Sequence, residues 1–303
     1  MTRPRIGITV GDPAGIGPEI AAQAAADPRV LAVAEPVLYA PRSGTVFPPG
    51  TPTDASGRAA YELLTRAVAD AQAGRIAGIA TAPISKLAFA LAGLPWKGHT
   101  DLLAHLTGAS QVAMLFWSDP LKVVLLTVHV PLAEVPRLMT RELISNVIRL
   151  TARELPAFGL ASPRLAVTGL NPHAGEAGVL GTEERDVIRP AVEALRAEGV
   201  NVQGPFPADT VFVRATRGEF DCVAACYHDQ GLIPVKLAAF GRAVNVTLGL
   251  PIVRTSVDHG TAYDIAGTGR ADHRSLVEAV ILAAHLAQAR AADHASSRSS
   301  RSM

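Results

Sequence analysis

The chain has 303 residues, 49% hydrophobic and 18% charged, with a formal net charge of +1. That length and apolar content suit one large core or two smaller ones, and the near-neutral balance argues against wrapping nucleic acid or binding acidic lipid. No apolar run reaches the roughly 18 residues of a membrane helix, and Met1 to Arg5 leads into a strand-length stretch rather than a signal-peptide core, so a cytoplasmic location is expected.

Short runs rich in Val, Ile and Leu alternate with segments of helical period, the pattern of an α/β protein with a largely parallel sheet. In chain order the predicted strands are 6–10, 36–40, 76–81, 111–117, 121–128, 164–169, 220–227 and 243–248. The predicted helices are 17–26, 57–73, 101–107, 139–158, 183–198 and 272–291. Ser118-Asp119-Pro120 reads as a tight turn joining 111–117 and 121–128 in an antiparallel hairpin. Residues 40–57, rich in Pro, Gly, Ser and Thr, read as surface loop, and the segment after Ala292 has little to bury and is expected to be disordered. Cys222 and Cys226 lie on one strand-like run, which excludes a disulfide framework and predicts reduced thiols.

Ligands of open α/β sheets bind beyond the carboxyl ends of the strands. Here the strand-like runs end at Gly11-Asp12-Pro13, at Thr81-Ala82-Pro83, at His129, at Asn171-Pro172-His173 and at His228-Asp229-Gln230. Three of the nine histidines therefore stand where side chains from separate strands can converge. Three imidazoles match the donor count of an open metal site, and the alternative is that each is a hydrogen-bonded loop residue. Cys222, Cys226 and His228 share a strand face by parity, so a thiolate site is a further alternative, although buried cysteines usually behave as small apolar groups. The glycine-rich turn after the first strand fits neither a dinucleotide nor a P-loop pattern, and Pro13 and Pro18 remove amide donors such loops need. Asp12 is either a site residue or a structural cap there. Lys236, Arg242, Asn245 and Arg254 offer donors suited to an anionic substrate, with Arg242 more simply a solvated surface charge.

Six segments together resemble one family: Gly11 to Glu19 (GDPAGIGPE), Gly98 to Asp101 (GHTD), Asn171 to Glu176 (NPHAGE), Pro207 to Thr210 (PADT), Tyr227 to Gly231 (YHDQG) and Thr255 to Ala262 (TSVDHGTA). In this combination and order, from about residue 5 to about 290, they are similar to the 4-hydroxythreonine-4-phosphate dehydrogenases of pyridoxal phosphate biosynthesis. The resemblance implies a two-domain α/β fold of the isocitrate and isopropylmalate dehydrogenase type, with mixed, largely parallel sheets and an interdomain cleft. It implies a first domain over 1–110 with 245–303, and a second over 111–244 carrying metal ligands and dimer contacts. It also implies a homodimer with the active site at the interface, NAD or NADP, and one divalent ion per site (zinc, magnesium or cobalt). The metal ligands implied are His129, His173 and His228, one of them contributed across the interface. The substrate ligands implied are His99, Thr100, Lys236, Asn245 and Arg254. The segment from His259 to Gly267 is similar to the cofactor loop of isopropylmalate dehydrogenases, which points to Gly260, Thr261, Asp264 and Gly267. Asp209 and Asp229 lie inside matched motifs and are candidates for proton transfer, with Asp229 alternatively orienting His228. The stretch before Gly98 is shorter than is usual for the family.

The activity implied is oxidation of 4-phosphooxy-L-threonine followed by loss of carbon dioxide. The rivals are a dehydrogenase of D-threonate or D-erythronate 4-phosphate, a three-histidine metal-dependent hydrolase, and a carrier that turns nothing over. Neither a nucleic acid nor a membrane is expected as a partner.

Overall fold

The apolar runs and helical segments fold into two α/β units, one formed by Met1–Ser110 with Val244–Met303 and the other by Gln111–Ala243. The computed structural model describes residues 3–42 and 44–299, with 293–299 described by their backbone alone. The first unit opens with β1 (Arg5–Thr9), α1 (Gly17–Ala26), α2 (Pro28–Val33), β2 (Glu35–Tyr39), α3 (Asp54–Gln72), β3 (Gly78–Thr81), α4 (Lys86–Leu91) and α5 (His99–Thr107). The second contains β4 (Ala113–Trp117), β5 (Val123–Leu125), α6 (Val135–Leu138), α7 (Arg141–Glu154), β6 (Leu165–Thr168), α8 (Arg189–Ala197), β7 (Val202–Phe206), α9 (Ala208–Thr216), β8 (Cys222–Ala225) and α10 (His228–Ala239). The chain then returns to the first unit with β9 (Val244–Leu248), β10 (Arg254–Ser256) and α11 (Arg274–Ser299).

In the first unit the strands run β2-β1-β3-β10-β9, parallel except for the antiparallel β9–β10 pair. Ile6, Ile8 and Ile79 are fully buried, as are Leu276 and Val280 of α11, which packs on β1, β3 and β10. In the second unit the order is β4-β5-β8-β6-β7, and the only antiparallel pair among the described residues is the β4–β5 hairpin expected around Ser118. Ser118 closes that turn by donating its hydroxyl to the Leu121 carbonyl at 2.6 Å. Val123, Leu125, Val211, Val223 and Val235 form the centre of this unit's core.

The structure departs from the sequence reading at several places. β7 was not predicted because its residues, Val-Gln-Gly-Pro-Phe, mix polar groups with two strand breakers. β10 is three residues long and begins with a charge. α10 carries Gly231 and Pro234, both unfavourable inside a helix. α3 starts three residues before the predicted 57, because Thr53 and Ser56 form a reciprocal cap at its N-terminus. The unstructured tail expected after Ala292 is corrected as far as Ser299: α11 continues to that residue, through a stretch free of Gly and Pro. Residues 300–303 lie outside the described residues.

Candidate active site

The turn from β1 into α1 is built around Asp12, which is fully buried. One carboxylate oxygen accepts from the Ala14 amide at 2.9 Å, the work of a local cap. The other accepts from the Tyr263 hydroxyl at 2.7 Å and the Ser56 hydroxyl at 3.3 Å. Burial pushes the Tyr263 phenol up to about 12, so it remains a donor at neutral pH. A second carboxylate of the same turn, Glu19, accepts from the amides of Gly267 and Gly269 at 2.9 and 3.1 Å. The Ile16 amide donates to the Thr261 carbonyl at 3.0 Å, and a Cβ on Gly15 would come within 2.9 Å of that oxygen. The GDPAGIGPE turn is thus the anchor of the 260–269 loop, which holds Gly260, Thr261, Asp264 and Gly267.

Beside that loop, β9 and β10 place Asn245, Thr247, Arg254 and Ser256 on one face by register. Arg254 is 2% exposed and donates to the Thr247 and Thr81 hydroxyls at 2.9 and 2.8 Å. Its Nε is buried without a hydrogen-bond partner, and so are Nε2 of His99 and Oδ1 of Asn245. Buried donors and acceptors are almost always paired, and leaving one unpaired costs about 1–3 kcal/mol. Burial pulls the Arg254 guanidinium down to about 9. Burial, and then the nearby Arg254 charge, hold the His99 imidazole well below its ordinary value. The result is a desolvated cation beside a neutral imidazole, donors suited to a dianionic phosphate or a carboxylate, while the unpaired Oδ1 of Asn245 is an acceptor suited to a substrate N–H or O–H. Thr100 follows His99 in the first turn of α5.

In the second unit the ends of β5 and β8 lead to His129 and His228, whose ring centroids are 5.4 Å apart. They line a cavity of about 300 Å³ together with Val128, Val130, Leu132, Val135, Tyr227 and Asp229. Metal–nitrogen bonds of roughly 2.0–2.1 Å allow two rings at that separation to share one ion. Nδ1 of His228 is 2.7 Å from Oδ1 of Asp229, a pairing that leaves Nε2 for a ligand. Gln230 fixes the motif from behind: its carbonyl accepts from Thr168 Oγ1 and the Cys226 amide, both at 2.7 Å, and its amide donates to the Gly169 carbonyl at 2.9 Å.

His173 stands apart from this pair. Among the described residues no three His, Cys, Asp or Glu side chains come together to hold a metal ion. His173 opens a left-handed turn in which His173, Ala174, Gly175, Glu176 and Ala177 have φ of 51°, 53°, 79°, 43° and 56°. Each non-glycine residue in that region costs on the order of 1–2 kcal/mol. α9 packs against this turn and carries Asp209 in its first turn, while Lys236 is exposed in the last turn of α10. Cys222 and Cys226 are free and buried, and burial pushes both thiols up to about 12; among the described residues they do not gather with His228 into a metal-holding group, as the thiolate alternative would require.

The sequence reading had not singled out Thr81, Thr247, Glu19, Tyr263, Asn171 or Glu184 as site residues. Glu19, Tyr263, Asn171 and Thr81 lie inside motifs or strand ends that the sequence marks, whereas Thr247 and Glu184 lie outside all of them.

Comparison with known proteins gives a consistent answer. The family model described as pyridoxal phosphate biosynthetic protein PdxA matches residues 15–283. A 4-hydroxythreonine-4-phosphate dehydrogenase of Desulfosudis oleivorans is 48% identical, over 93% of this chain and 95% of its own length. The crystal structure of the Klebsiella pneumoniae enzyme of the same name superposes with a TM-score of 0.84 at 41% identity, covering 94% of this chain and all of that one. A β-decarboxylating dehydrogenase of Thermococcus kodakarensis, 18% identical with a TM-score of 0.52 over 92% of this chain and 81% of its own, shares the fold. On the family model and the extent of these similarities, the chain belongs to the PdxA family.

Proposed function

We propose that the chain is a 4-hydroxythreonine-4-phosphate dehydrogenase. It oxidises the secondary alcohol of 4-phosphooxy-L-threonine to 2-amino-3-oxo-4-phosphooxybutanoate, reducing NAD or NADP and releasing a proton. The β-keto acid then loses carbon dioxide to give 3-amino-2-oxopropyl phosphate. The observation that carries this reading is the set of buried polar atoms without partners on Arg254, His99 and Asn245 in a chain 48% identical to a dehydrogenase of that name.

Arg254 binds an anionic group of the substrate, and Asn245 offers a polar partner beside it. His99, held neutral, donates or accepts without adding charge, and Thr100 supplies a hydroxyl. His129 and His228 fit a borderline divalent ion such as Zn or Co better than Mg, because two imidazoles line one cavity and Asp229 holds one of them in a fixed orientation. Such an ion supplies Lewis acidity toward an oxygen that gains negative charge during the reaction. Asp209 takes the hydroxyl proton and returns one to carbon after decarboxylation, while Asp229 orients His228. The 260–269 loop, tied to Asp12 and Glu19, holds the nicotinamide nucleotide.

A homodimer completes the site on this reading, since one chain pairs His129 with His228 and leaves His173 outside the pair. The surface of the second unit supports it. Ile233 and Leu237 on α10, the helix that begins with His228, and Phe240 just past its end are exposed apolar residues, at 60%, 84% and 80%. Patches of this kind mark interaction sites. The two free cysteines fit a reducing cytoplasm. No helix among the described residues is long and apolar enough to cross a membrane. The sugar-acid phosphate and hydrolase readings have no comparable support, because the similar proteins are named dehydrogenases of the threonine derivative. Reduced-nicotinamide formation from 4-phosphooxy-L-threonine, with and without chelator, tests the assignment.

A further inference from the structure

The turn that carries His173 is held from outside by a side chain none of the motifs includes. Glu184 is 2% exposed and lies in a π-helical segment, Glu184–Ile188, that leads into α8. Both of its oxygens accept from one residue. Oε1 accepts from the Asn171 amide at 2.7 Å and Oε2 from Asn171 Nδ2 at 3.0 Å. Nδ2 also donates to Glu183 Oε2 at 2.7 Å. Asn171 in turn accepts at its carbonyl from the Ala174 amide at 3.1 Å, the first bond of the left-handed turn.

Three glycines give this clamp its room. A Cβ on Gly175 would lie 2.6 Å from Glu184 Oε2, one on Gly181 would lie 2.4 Å from Asn171 Nδ2, and one on Gly169 would lie 2.8 Å from the Ala174 Cα. Four non-glycine residues, His173, Ala174, Glu176 and Ala177, are kept at positive φ beside it. Strained backbone of this kind persists only where its surroundings determine it, and it gathers at functional sites, as π-helical turns also do.

We propose that Glu184 is a positioning residue: acting through Asn171, it locks the left-handed turn 173–177 and thereby fixes where the His173 imidazole is presented to a divalent ion. This rests on the reading of His173 as a metal donor. The geometry requires an acceptor at both oxygens. A glutamine at 184 turns an NH2 group toward one of the two Asn171 donors, so the turn loses one of its two ties while side-chain volume is conserved.

The test is Co2+ binding to the purified full-length protein, by equilibrium dialysis and by cobalt visible absorption, for the parent, Glu184→Gln, Asn171→Ser and His173→Ala, with melting temperatures alongside. The proposal expects Glu184→Gln to bind Co2+ about 10- to 100-fold more weakly, the range typical of residues that orient a ligand. It expects an altered absorption band, an unchanged KM for nicotinamide, and a small change in melting temperature. Asn171→Ser, which keeps the main-chain bond, shifts the same way by less. His173→Ala separates the two levels: if it leaves Co2+ affinity unchanged, the donor reading itself fails. If His173→Ala weakens binding but Glu184→Gln and Asn171→Ser do not, the positioning role is overturned. Failure of both clamp variants to fold would overturn it as well, in favour of a purely structural role.

Discussion

His99 and Arg254 share one desolvated corner of the first unit, where burial, and then the guanidinium charge, keep the imidazole neutral while Arg254 itself lacks a partner at Nε. Arg254 is therefore a cation held in place at a cost to the unliganded protein, which an anionic substrate offsets. In Arg254→Met the account expects KM for the phosphorylated substrate to rise by about 100-fold or more while the melting temperature stays level or rises. Steady-state kinetics and calorimetry on one preparation check this. A variant that loses stability yet keeps its KM would show that the arginine is a structural group.

The depressed proton affinity of His99 has a defined sign in stability. Its folded value lies below the ordinary 6.5, so the unfolded chain binds more protons on the acid side. The contribution is complete above pH 6.5 and is lost as pH falls below it. Thermal unfolding followed against pH should show a shallower acid decline in His99→Gln than in the parent. Parallel curves would rule out this histidine as a source of acid sensitivity.

Tyr263 and Glu19 tie the 260–269 loop to the first turn of the chain. A hydrogen bond to a carboxylate contributes about 1.5–3 kcal/mol, and 1.4 kcal/mol is tenfold in affinity. Tyr263→Phe should raise KM for the nicotinamide nucleotide roughly tenfold and leave KM for the phosphorylated substrate near its parent value. Equal changes in both would mean that the loop does not act on the nucleotide alone.

Asp229 and His228 make a graded series. His228→Ala should abolish retention of the divalent ion, and Asp229→Asn should weaken it by about 10- to 100-fold, because the amide no longer orients Nδ1 as a carboxylate does. Metal content after dialysis, read by atomic emission, distinguishes this order from one in which Asp229 has no effect on retention.

The exposed apolar residues on and just past α10 predict their own outcome. Leu237→Asp, at a position 84% exposed, should move the protein from dimer to monomer in light scattering at micromolar concentration. A parent protein that is already monomeric would remove the dimer from the account.

Much of the fold was legible because its signal is local. The runs Ile6–Val10 and Leu165–Gly169 are apolar wherever they are read, and the helix from Gly17 begins with Pro18 and has an apolar face at three- and four-residue spacing. The chemistry at strand ends was legible for the same reason, since His129 and His228 follow apolar runs directly. What stayed hidden depends on distance along the chain. The Thr81–Arg254 bond spans 173 residues and Tyr263–Asp12 spans 251, so no periodicity reports them. The left-handed course of 173–177 was hidden for another reason: only one of its five residues is glycine, and its conformation is imposed by Asn171 and Glu184 rather than by its own composition. β7 and α10 were missed because tertiary contacts override the unfavourable Pro and Gly they contain.

The most direct measurement is the absorbance of reduced nicotinamide when the purified protein receives NAD or NADP, a divalent metal and 4-phosphooxy-L-threonine, with a chelator-treated control and D-threonate and D-erythronate 4-phosphates in parallel. The account predicts rapid, chelator-sensitive reduction with the threonine derivative and little with the sugar acids. Silence with all three, or preference for a sugar-acid phosphate, would contradict it.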